Sequence, residues 1–399
     1  MTDRHVIDSE DEYLDAITKI EAGHGPIAVD AERASGYRYS QRAYLIQVFR
    51  RGAGVFLFDP PAIGRFDALN AAIRDEEWII HAASQDLACL REVGLDPSRI
   101  FDTELASRLL GLDRVGLGSV VEELLGIHLA KEHSAADWST RPLPESWLEY
   151  AALDVELLVD VRDKLDALLT ESGKQEIAAQ EFEATRLRQP KLVRQDPWRR
   201  LSGLHGVRGA RNLAVARELW TARDTLARER DVAPGRLVPD ASLVAVVKTQ
   251  PRSSAALAAM RDFKGRASRT DLPVWWAALE RGLTTDDLPP LRPASSDVLP
   301  PARSWSERNP EADARLKAAR TALAVVAESL SIPLENVLTP EMLRRLAWTP
   351  PVPLDAATVG DALRELGARE WQIEATAQTI ALAFVEGNQT ASEPQKSES

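Results

Sequence analysis

Between residues 25 and 165, short apolar runs alternate with longer segments in which apolar residues recur every three or four positions. The short runs are typical of buried strands and cover residues 25–32, 42–49, 54–59, 78–82 and 99–102. The longer segments are typical of amphipathic helices and cover residues 66–76, 103–110 and 117–188. Strands joined partly by short turns and partly by helices predict an α/β domain with a mixed sheet.

After residue 188 the strand signals fade and helical periodicity dominates. We expect helical domains at residues 212–286 and 311–386, preceded by a linker at 189–211 and separated by a Pro-rich linker at 287–310. Residues 387–399 are polar, so we expect a disordered tail. The helical regions match at an offset of 100 residues, which predicts a repeated module, although helical patterns also match by chance. The matched pairs are Ala227/Ala327, Val232/Ile332, Leu237/Val337, Val238/Leu338, Leu243/Leu343, Val246/Leu346, Thr249/Thr349 and Pro251/Pro351.

Composition narrows the class of protein. The chain has 399 residues, enough for two or three domains, and 44% of them are hydrophobic. No apolar run reaches the roughly 18 residues that span a bilayer, and the first residues do not resemble a signal peptide. The single cysteine, Cys89, excludes an internal disulfide and fits a reducing compartment. We therefore expect a cytoplasmic protein that does not contact membranes.

The distribution of charge is uneven. The formal net charge is −12, which argues against nucleic acid as a partner. Residues 186–236, however, contain thirteen basic and five acidic residues. Clustered basic side chains can follow a phosphate backbone whatever the total charge, but the same cluster also fits a solvated linker and helix face.

The most informative chemical signal is a pair of acids at the end of the first apolar run. Asp30 and Glu32 follow residues 27–29, and positions i and i+2 of a strand point to the same side. Two carboxylates on one side repel each other unless a proton or a cation lies between them. The pair is therefore a candidate metal site, although such pairs also occur on solvated surfaces in a chain with 61 acidic residues.

A second signal is an acid on an apolar helix face. The stripe at helical spacing consists of Trp147, Ala151, Asp154, Leu158, Val161 and Leu165. An ionised carboxylate on such a face is costly unless it is paired or bound to a metal, so Asp154 is either a metal ligand or the partner of a buried arginine. Tyr150 lies one turn earlier and can share its site, whereas Glu156 falls outside the stripe.

The third signal is Asp86, in the predicted first turn of a helix. A helix N-terminus favours an acid through its dipole, so this position alone indicates little. Together with Asp30, Glu32 and Asp154, however, Asp86 completes a set of acids on separate elements. Such a set can bind two Mg²⁺ or Mn²⁺ ions that promote attack of water at phosphorus, and Tyr150 is placed to position that water.

In order and spacing these residues resemble the motifs of ribonuclease D, a family of DEDD exonucleases of the tyrosine type. The likeness is carried by residues 29–32 (Val-Asp-Ala-Glu), 81–87 (His-Ala-Ala-Ser-Gln-Asp-Leu) and 150–154 (Tyr-Ala-Ala-Leu-Asp), with supporting matches at 44–47, 101–103 and 137–143. It covers about residues 5–185. Threonine is common in the family where Ala31 stands, and this departure leaves the acids intact.

The resemblance implies an exonuclease domain with a ribonuclease-H-like fold at residues 1–188, which removes 3′-terminal nucleotides from RNA such as tRNA precursors. It assigns Asp30, Glu32, Asp86 and Asp154 as ligands of two divalent cations, Mg²⁺ or Mn²⁺, and Tyr150 as the residue that orients the attacking water.

The C-terminal regions have a resemblance of their own. Residues 212–286 resemble the HRDC domain, which RecQ-type helicases share with ribonuclease D, and residues 311–386 look like a second, divergent copy. The fold class that we expect is thus an α/β exonuclease domain followed by two all-α HRDC-like domains. These domains would help to grip RNA, and the candidate contacts at the start of the first are Arg199, Arg200, Arg208 and Arg211.

Two other functions fit the same residues. An exonuclease that acts on DNA would have the same acids, because the phosphoryl chemistry is shared. A catalytically dead RNA-binding protein is the second alternative, although binding alone would not need a carboxylate at position 154. The sequence indicates no obligate protein partner, and it leaves open the physiological RNA, the preferred cation, the oligomeric state and the role of the second helical domain.

Overall fold

The computed structural model describes residues 5–129, 135–189, 195–292 and 299–392. Its N-terminal part is built on a mixed sheet with the strand order β1-β4-β3-β2-β5-β6, and the predicted α/β architecture is confirmed. The strands are β1 (Val6–Ile7), β2 (His24–Arg33), β3 (Ala43–Arg51), β4 (Gly54–Phe58), β5 (Glu77–Ile80) and β6 (Arg99–Asp102). The β2–β3 and β3–β4 pairs are antiparallel and the others are parallel. The apolar pattern did not predict β1, because two residues carry no periodicity.

Strand β2 is buried on both faces. Val29 belongs to the same apolar cluster as Ile20, whereas Ala28 packs with Val155 and Leu158. A strand covered on both sides needs a continuous apolar run, which explains residues 27–29. The helices around the sheet are α1 (Glu10–Glu21), α2 (Pro60–Ile63), α3 (Asp67–Ile73), α4 (Leu87–Glu92), α5 (Thr103–Leu109), α6 (Leu117–Leu125), α7 (Glu145–Glu156), α8 (Leu158–Glu171) and α9 (Gln175–Arg186).

Two helical units follow, each with its own apolar core. The first contains α10 (Ala210–Arg230), α11 (Pro234–Leu237), α12 (Asp240–Thr249), α13 (Ser254–Ala259), α14 (Ala267–Thr270) and α15 (Leu272–Thr284). The second contains α16 (Trp305–Arg308), α17 (Pro310–Leu330), α18 (Leu334–Val337), α19 (Pro340–Trp348), α20 (Ala356–Glu365) and α21 (Glu370–Ser392). Helices α10 to α12 and α17 to α19 begin 100 residues apart, and α10 and α17 both end at a residue with left-handed backbone, Asp231 and Ser331.

Both helical units contact the sheet domain. Asp231, after α10, accepts hydrogen bonds from the Ser40 backbone N–H at 2.8 Å and from the Tyr44 hydroxyl at 3.1 Å. On another side of the domain, Trp371 Nε1 donates to Glu181 Oε1 at 2.9 Å. The first unit therefore holds the loop between β2 and β3, which begins shortly after the candidate acids.

The two predicted linkers contain buried apolar side chains that the sequence pattern did not indicate. Between residues 189 and 211, two 3₁₀ turns, Pro197–Arg200 and Leu204–Gly206, bury Trp198 and Leu204 in the core of the first helical unit. Between residues 287 and 310, Trp305 is fully buried in the core of the second. Prolines and glycines prevent long regular helices in these segments, but the apolar side chains between them still gain free energy by leaving water.

The predicted tail begins too early. Helix α21 continues to Ser392 instead of ending before residue 387, and the rest of the tail lies outside the described residues. Gly387 lies so close to the backbone of Arg315 that a Cβ there would be 2.9 Å from its Cα, and Arg315 Nη1 donates to Asn388 at 2.8 Å. Polar residues thus extend the helix because one side of it packs against α17. Across the described residues, no helix is both long and apolar enough to cross a bilayer.

Candidate active site

Strands β2 and β3 place the first two acids on the face of the sheet that α7 and α8 cover. Asp30 lies opposite Gln47, and Glu32 lies opposite Leu45, in the antiparallel ladder. Directly opposed residues of such a ladder point to the same side. These four side chains therefore share the face of Ala28, which packs against α7 and α8.

Helix α7 brings Asp154 over this face. Ligand atoms of Asp30, Glu32 and Asp154 all lie within 4.8 Å of one another. The predicted stripe around Asp154 is buried at Ala151, but α7 ends two residues after Asp154 and α8 begins a new helix. The predicted alternative, a salt bridge to an arginine, does not account for this position in the described structure, because the groups that act on Asp154 are Asp30 and Tyr150.

Asp86 lies beside this cluster. It is not among the residues whose ligand atoms lie within 4.8 Å of one another, but it is close enough to Asp30 for the two charges to interact. Arg33 Nη2 lies 3.6 Å from Asp86 Oδ1. Asp86 directly precedes α4, yet its side chain does not cap that helix, so the favourable effect of the helix dipole does not by itself explain the residue.

The turn that carries Asp86 is held by a buried carboxylate. Asp102 accepts hydrogen bonds from the backbone N–H groups of Ala82 at 3.1 Å and Ala83 at 2.9 Å. Ala82 has a φ of 60°, a conformation that costs energy outside glycine and persists when its surroundings enforce it. Burial raises the pKa of Asp102 to about 6, against the effect of these hydrogen bonds. Asp102 therefore fixes the turn between β5 and α4.

Burial and mutual repulsion raise the pKa values of the clustered carboxyl groups. Burial is the main cause for Asp30, Glu32 and Asp154, and the neighbouring acids add to the increase for Glu32 and Asp154. The protein without ions therefore retains protons that divalent cations would replace. Several carboxylate oxygens with no sulfur or imidazole ligand in the cluster are a donor set that suits Mg²⁺ or Mn²⁺.

Tyr150 lies beside Asp154 in this cluster. It donates a hydrogen bond to Asp154, and burial together with the negative charges of Asp154 and Glu32 raises the pKa of its phenol far above the ordinary value. The phenol is therefore neutral at physiological pH. It can orient a water molecule by hydrogen bonding, but it cannot act as a general base there.

Known proteins with similar sequences decide the family. Over 248 residues the chain is 33% identical to ribonuclease D of Escherichia coli, a match that covers 61% of this chain and 66% of that protein, just under two thirds. Over 297 residues it is 30% identical to ribonuclease D of Nitrobacter hamburgensis, which covers 72% of this chain and 71% of the relative. The chain belongs to the ribonuclease D family.

Solved structures agree with this family assignment. A protein from Bifidobacterium adolescentis is 38% identical and aligns with a TM-score of 0.86 over 96% of this chain and 97% of its own. Ribonuclease D of Escherichia coli is 26% identical in the structural alignment, with a TM-score of 0.67 over 96% and 98% of the two chains. The similarity thus includes the helical units as well as the sheet domain.

Models of protein families match three separate segments of the chain, which correspond to the sheet domain and the two helical units. A model described as a 3′-5′ exonuclease matches residues 4–170, and the HRDC domain model matches residues 212–279. Residues 298–384 match a different model, described as the 3′ to 5′ exonuclease C-terminal domain. The first HRDC domain is therefore confirmed, and the interpretation of the second unit as a further HRDC copy stays a prediction.

The predicted RNA-contacting arginines differ in their surroundings. Arg199 Nε donates to Asp196 at 2.8 Å, and Arg211 Nη1 donates to the carbonyl oxygen of Thr285, so both are engaged within the first helical unit. Arg200 and Arg208 are exposed. The latter pair is therefore better placed to meet RNA than the former.

Two residues of this site were not singled out by sequence reasoning for a role. Gln47 is fully buried opposite Asp30, and neither of its amide atoms has a hydrogen-bond partner in the described structure. Arg33 follows Glu32 directly in β2, and the register of the β2–β3 pair shifts between these two residues. Gln47 could have been noticed in the sequence, because it is a polar residue inside a predicted strand. Arg33 could not, because an arginine after a pair of acids does not by itself indicate a function.

Proposed function

We propose that this protein is a metal-dependent exoribonuclease that removes nucleotides one at a time from the 3′ end of RNA. The observation that carries the proposal is the convergence of Asp30, Glu32 and Asp154 within 4.8 Å on a fold of the ribonuclease D family. A packed protein gains nothing in stability from three such carboxylates at this separation, so a ligand of opposite charge explains them.

The proposed cofactor is a pair of divalent cations, Mg²⁺ or Mn²⁺, held by Asp30, Glu32, Asp86 and Asp154. Such ions, when bound, lower the pKa of a water molecule and neutralise charge on the leaving 3′ oxygen. Asp86 is included in this set because it is close enough to Asp30 for the two charges to interact, and Asp102 fixes the turn that carries it. The chain's own contribution is to hold these oxygens in place on rigid elements.

Tyr150 is the proposed positioning group for the attacking water. Its hydroxyl lies against Asp154 and stays protonated, so it can direct a water lone pair without removing a proton. A Tyr150→Phe variant is therefore expected to retain cation binding and lose most of its activity.

The proposed substrates are structured RNAs with a 3′ extension, such as tRNA precursors. Support comes from the relatives: the Escherichia coli enzyme is described as an exoribonuclease involved in structured RNA processing. We propose that residues 1–188 form the nuclease domain and that residues 212–286 and 311–386 grip RNA outside the active site. The exposed Arg200 and Arg208 are the candidate contacts of the first of these domains.

The test is incubation of the protein with a 3′-extended tRNA labelled at its 5′ end, with Mg²⁺, Mn²⁺ or EDTA. The proposal expects a ladder that shortens by one nucleotide at a time with either cation, no reaction in EDTA, and no reaction for Asp30→Asn. Glu149→Gln, which changes an exposed acid on the same helix as Asp154, is the matched control and should remain active. Faster digestion of a matched DNA strand would favour the DNA exonuclease, and binding without shortening would favour the dead RNA-binding protein.

A further inference from the structure

Arg33 is a basic side chain that lies at the acid cluster. It is the last residue of β2, directly after Glu32, and its Nη2 is 3.6 Å from Asp86 Oδ1. Strands β2 and β5 run parallel, so their C-terminal ends lie at the same edge of the sheet. The guanidinium therefore reaches across the edge where the candidate metal ligands end.

A β-bulge lies next to Arg33. Glu32 pairs with Leu45 but Arg33 pairs with Ala43, so Tyr44 is an additional residue in β3. Bulges interrupt the regular alternation of side chains and are frequent next to active sites, where they redirect a side chain. The interruption occurs between the acid and the arginine, at the position where the arginine must turn toward Asp86.

The Arg33–Asp86 pair is loose compared with the Arg141–Asp59 pair of the same domain. Arg141 holds Asp59 through two contacts at 2.6 and 2.9 Å, whereas Arg33 approaches Asp86 no closer than 3.6 Å. In addition, Arg33 Nε is buried and has no hydrogen-bond partner in the described structure. A guanidinium carries five N–H donors in a rigid fork, and most of those of Arg33 are not committed to a close partner.

We propose that Arg33 is a substrate-binding residue, whose guanidinium binds a phosphate oxygen of the RNA 3′ end next to the catalytic acids. The proposal rests on the proposed exonuclease function. Its side chain is 25% exposed while that of Asp86 is 8% exposed, so solvent and an incoming RNA reach the arginine more readily than the acid that it approaches. Four carboxylates and two divalent cations have no net charge together, so the positive charge of Arg33 is left to meet a phosphate, whose oxygens match its planar fork.

The test compares Arg33→Met, which keeps an unbranched apolar stem but removes the charged guanidinium, with Arg51→Met. Arg51 is paired with Asp160 and Asp163, and it lies at the end of β3 that is opposite the start of β2, on the other edge of the sheet. Binding of a 5′-labelled single-stranded RNA is measured by fluorescence anisotropy with Ca²⁺ at several salt concentrations, using only conditions in which a gel shows intact RNA. Cation binding without RNA is measured by calorimetry.

We expect Arg33→Met to weaken RNA binding about tenfold or more, because a charge-assisted hydrogen bond is lost. The salt dependence should become shallower by roughly 0.7 in slope, as for the loss of one phosphate contact to a single strand. Cation binding should stay equal or become tighter, since a positive charge leaves the cluster. Arg51→Met should change neither, and Arg33→Lys should be intermediate.

RNA affinity within twofold of the wild type would overturn the proposal. Weakening of RNA and cation binding together would also overturn it, since Arg33 would then only support Asp86. Thermal melting checks each fold, and Arg33→Gln replaces the Met variant if the latter unfolds. A wild type that binds RNA through Arg33 but never shortens it from the 3′ end would refute the exonuclease function alone.

Discussion

Replacing Asp154 with asparagine tests whether the clustered carboxylates strain the protein when no cation is bound. The ligand atoms of Asp154 lie within 4.8 Å of those of Asp30 and Glu32. At an effective dielectric constant of about 20, two unit charges at this distance repel by about 3 kcal/mol. Raised pKa values keep some of these groups protonated near neutral pH. We therefore expect Asp154→Asn to stabilise the ion-free protein by about 1–3 kcal/mol.

The assay is thermal unfolding of wild type and variant in EDTA and then with Mg²⁺ or Mn²⁺. For a domain of this size the gain corresponds to a midpoint roughly 3–10 °C higher in EDTA. The wild type should become more stable when cations are added, because they bind the folded state, and the variant should respond much less. Glu149→Gln, an exposed change on the same helix, is the control and should behave as the wild type. A lower midpoint for Asp154→Asn in EDTA would show that the clustered carboxylates do not destabilise the ion-free protein. An equal response to cations would show that Asp154 does not bind them.

Three further predictions concern stability. Burial raises the pKa of Asp154 to about 8 and also raises the pKa values of Glu32 and Asp86. Above the ordinary carboxyl pKa of about 4, the folded chain therefore binds more protons than the unfolded chain, so unfolding in EDTA should become easier as the pH rises toward 8, and saturating Mg²⁺ should reduce this loss of stability. Gln47→Leu should raise the free energy of unfolding by about 1–2 kcal/mol in urea titrations, since it removes buried amide atoms that have no hydrogen-bond partner. A decrease would show that the amide of Gln47 does form hydrogen bonds in the folded protein. Asp102→Asn should lower it by about 1–3 kcal/mol, because the amide cannot accept from both Ala82 and Ala83, and an unchanged urea midpoint would contradict that role.

The sheet could be predicted because its central strands are buried on both faces and read as apolar runs. The two-residue β1 could not, since it is defined by its pairing with β4 and not by its own pattern. The burial of tryptophans within the predicted linkers could not be predicted for a related reason. Trp198 and Trp305 stand among prolines and glycines, and only the complete fold provides the cores that bury them.

In the site, too, some features could be predicted from the sequence and others could not. Asp30 and Glu32 could be paired from strand alternation, and Asp154 could be recognised from the apolar stripe around it. The separation of Asp86 from the other acids could not be predicted, because it depends on a turn enforced by Asp102 from the next strand. The bulge beside Arg33 could not be predicted either, because it is a property of the pairing of two strands and not of either strand alone.

The predicted RNA contacts depended on charge alone and were less specific. Arg211 binds the carbonyl oxygens of Gly282 and Thr285, which lie about 70 residues further along the chain. A count of basic residues does not distinguish such structural arginines from those that remain exposed. The exposed Arg200 and Arg208 are consequently the members of the predicted set to substitute first.

Crystals of the protein soaked in Mn²⁺ test directly whether these carboxylates form a metal centre, since manganese can be located by anomalous diffraction. We expect anomalous peaks within coordination distance of Asp30, Glu32 and Asp154, and their loss in Asp154→Asn crystals that keep the same fold. Well-ordered carboxylates without a manganese peak at saturating Mn²⁺ would contradict it.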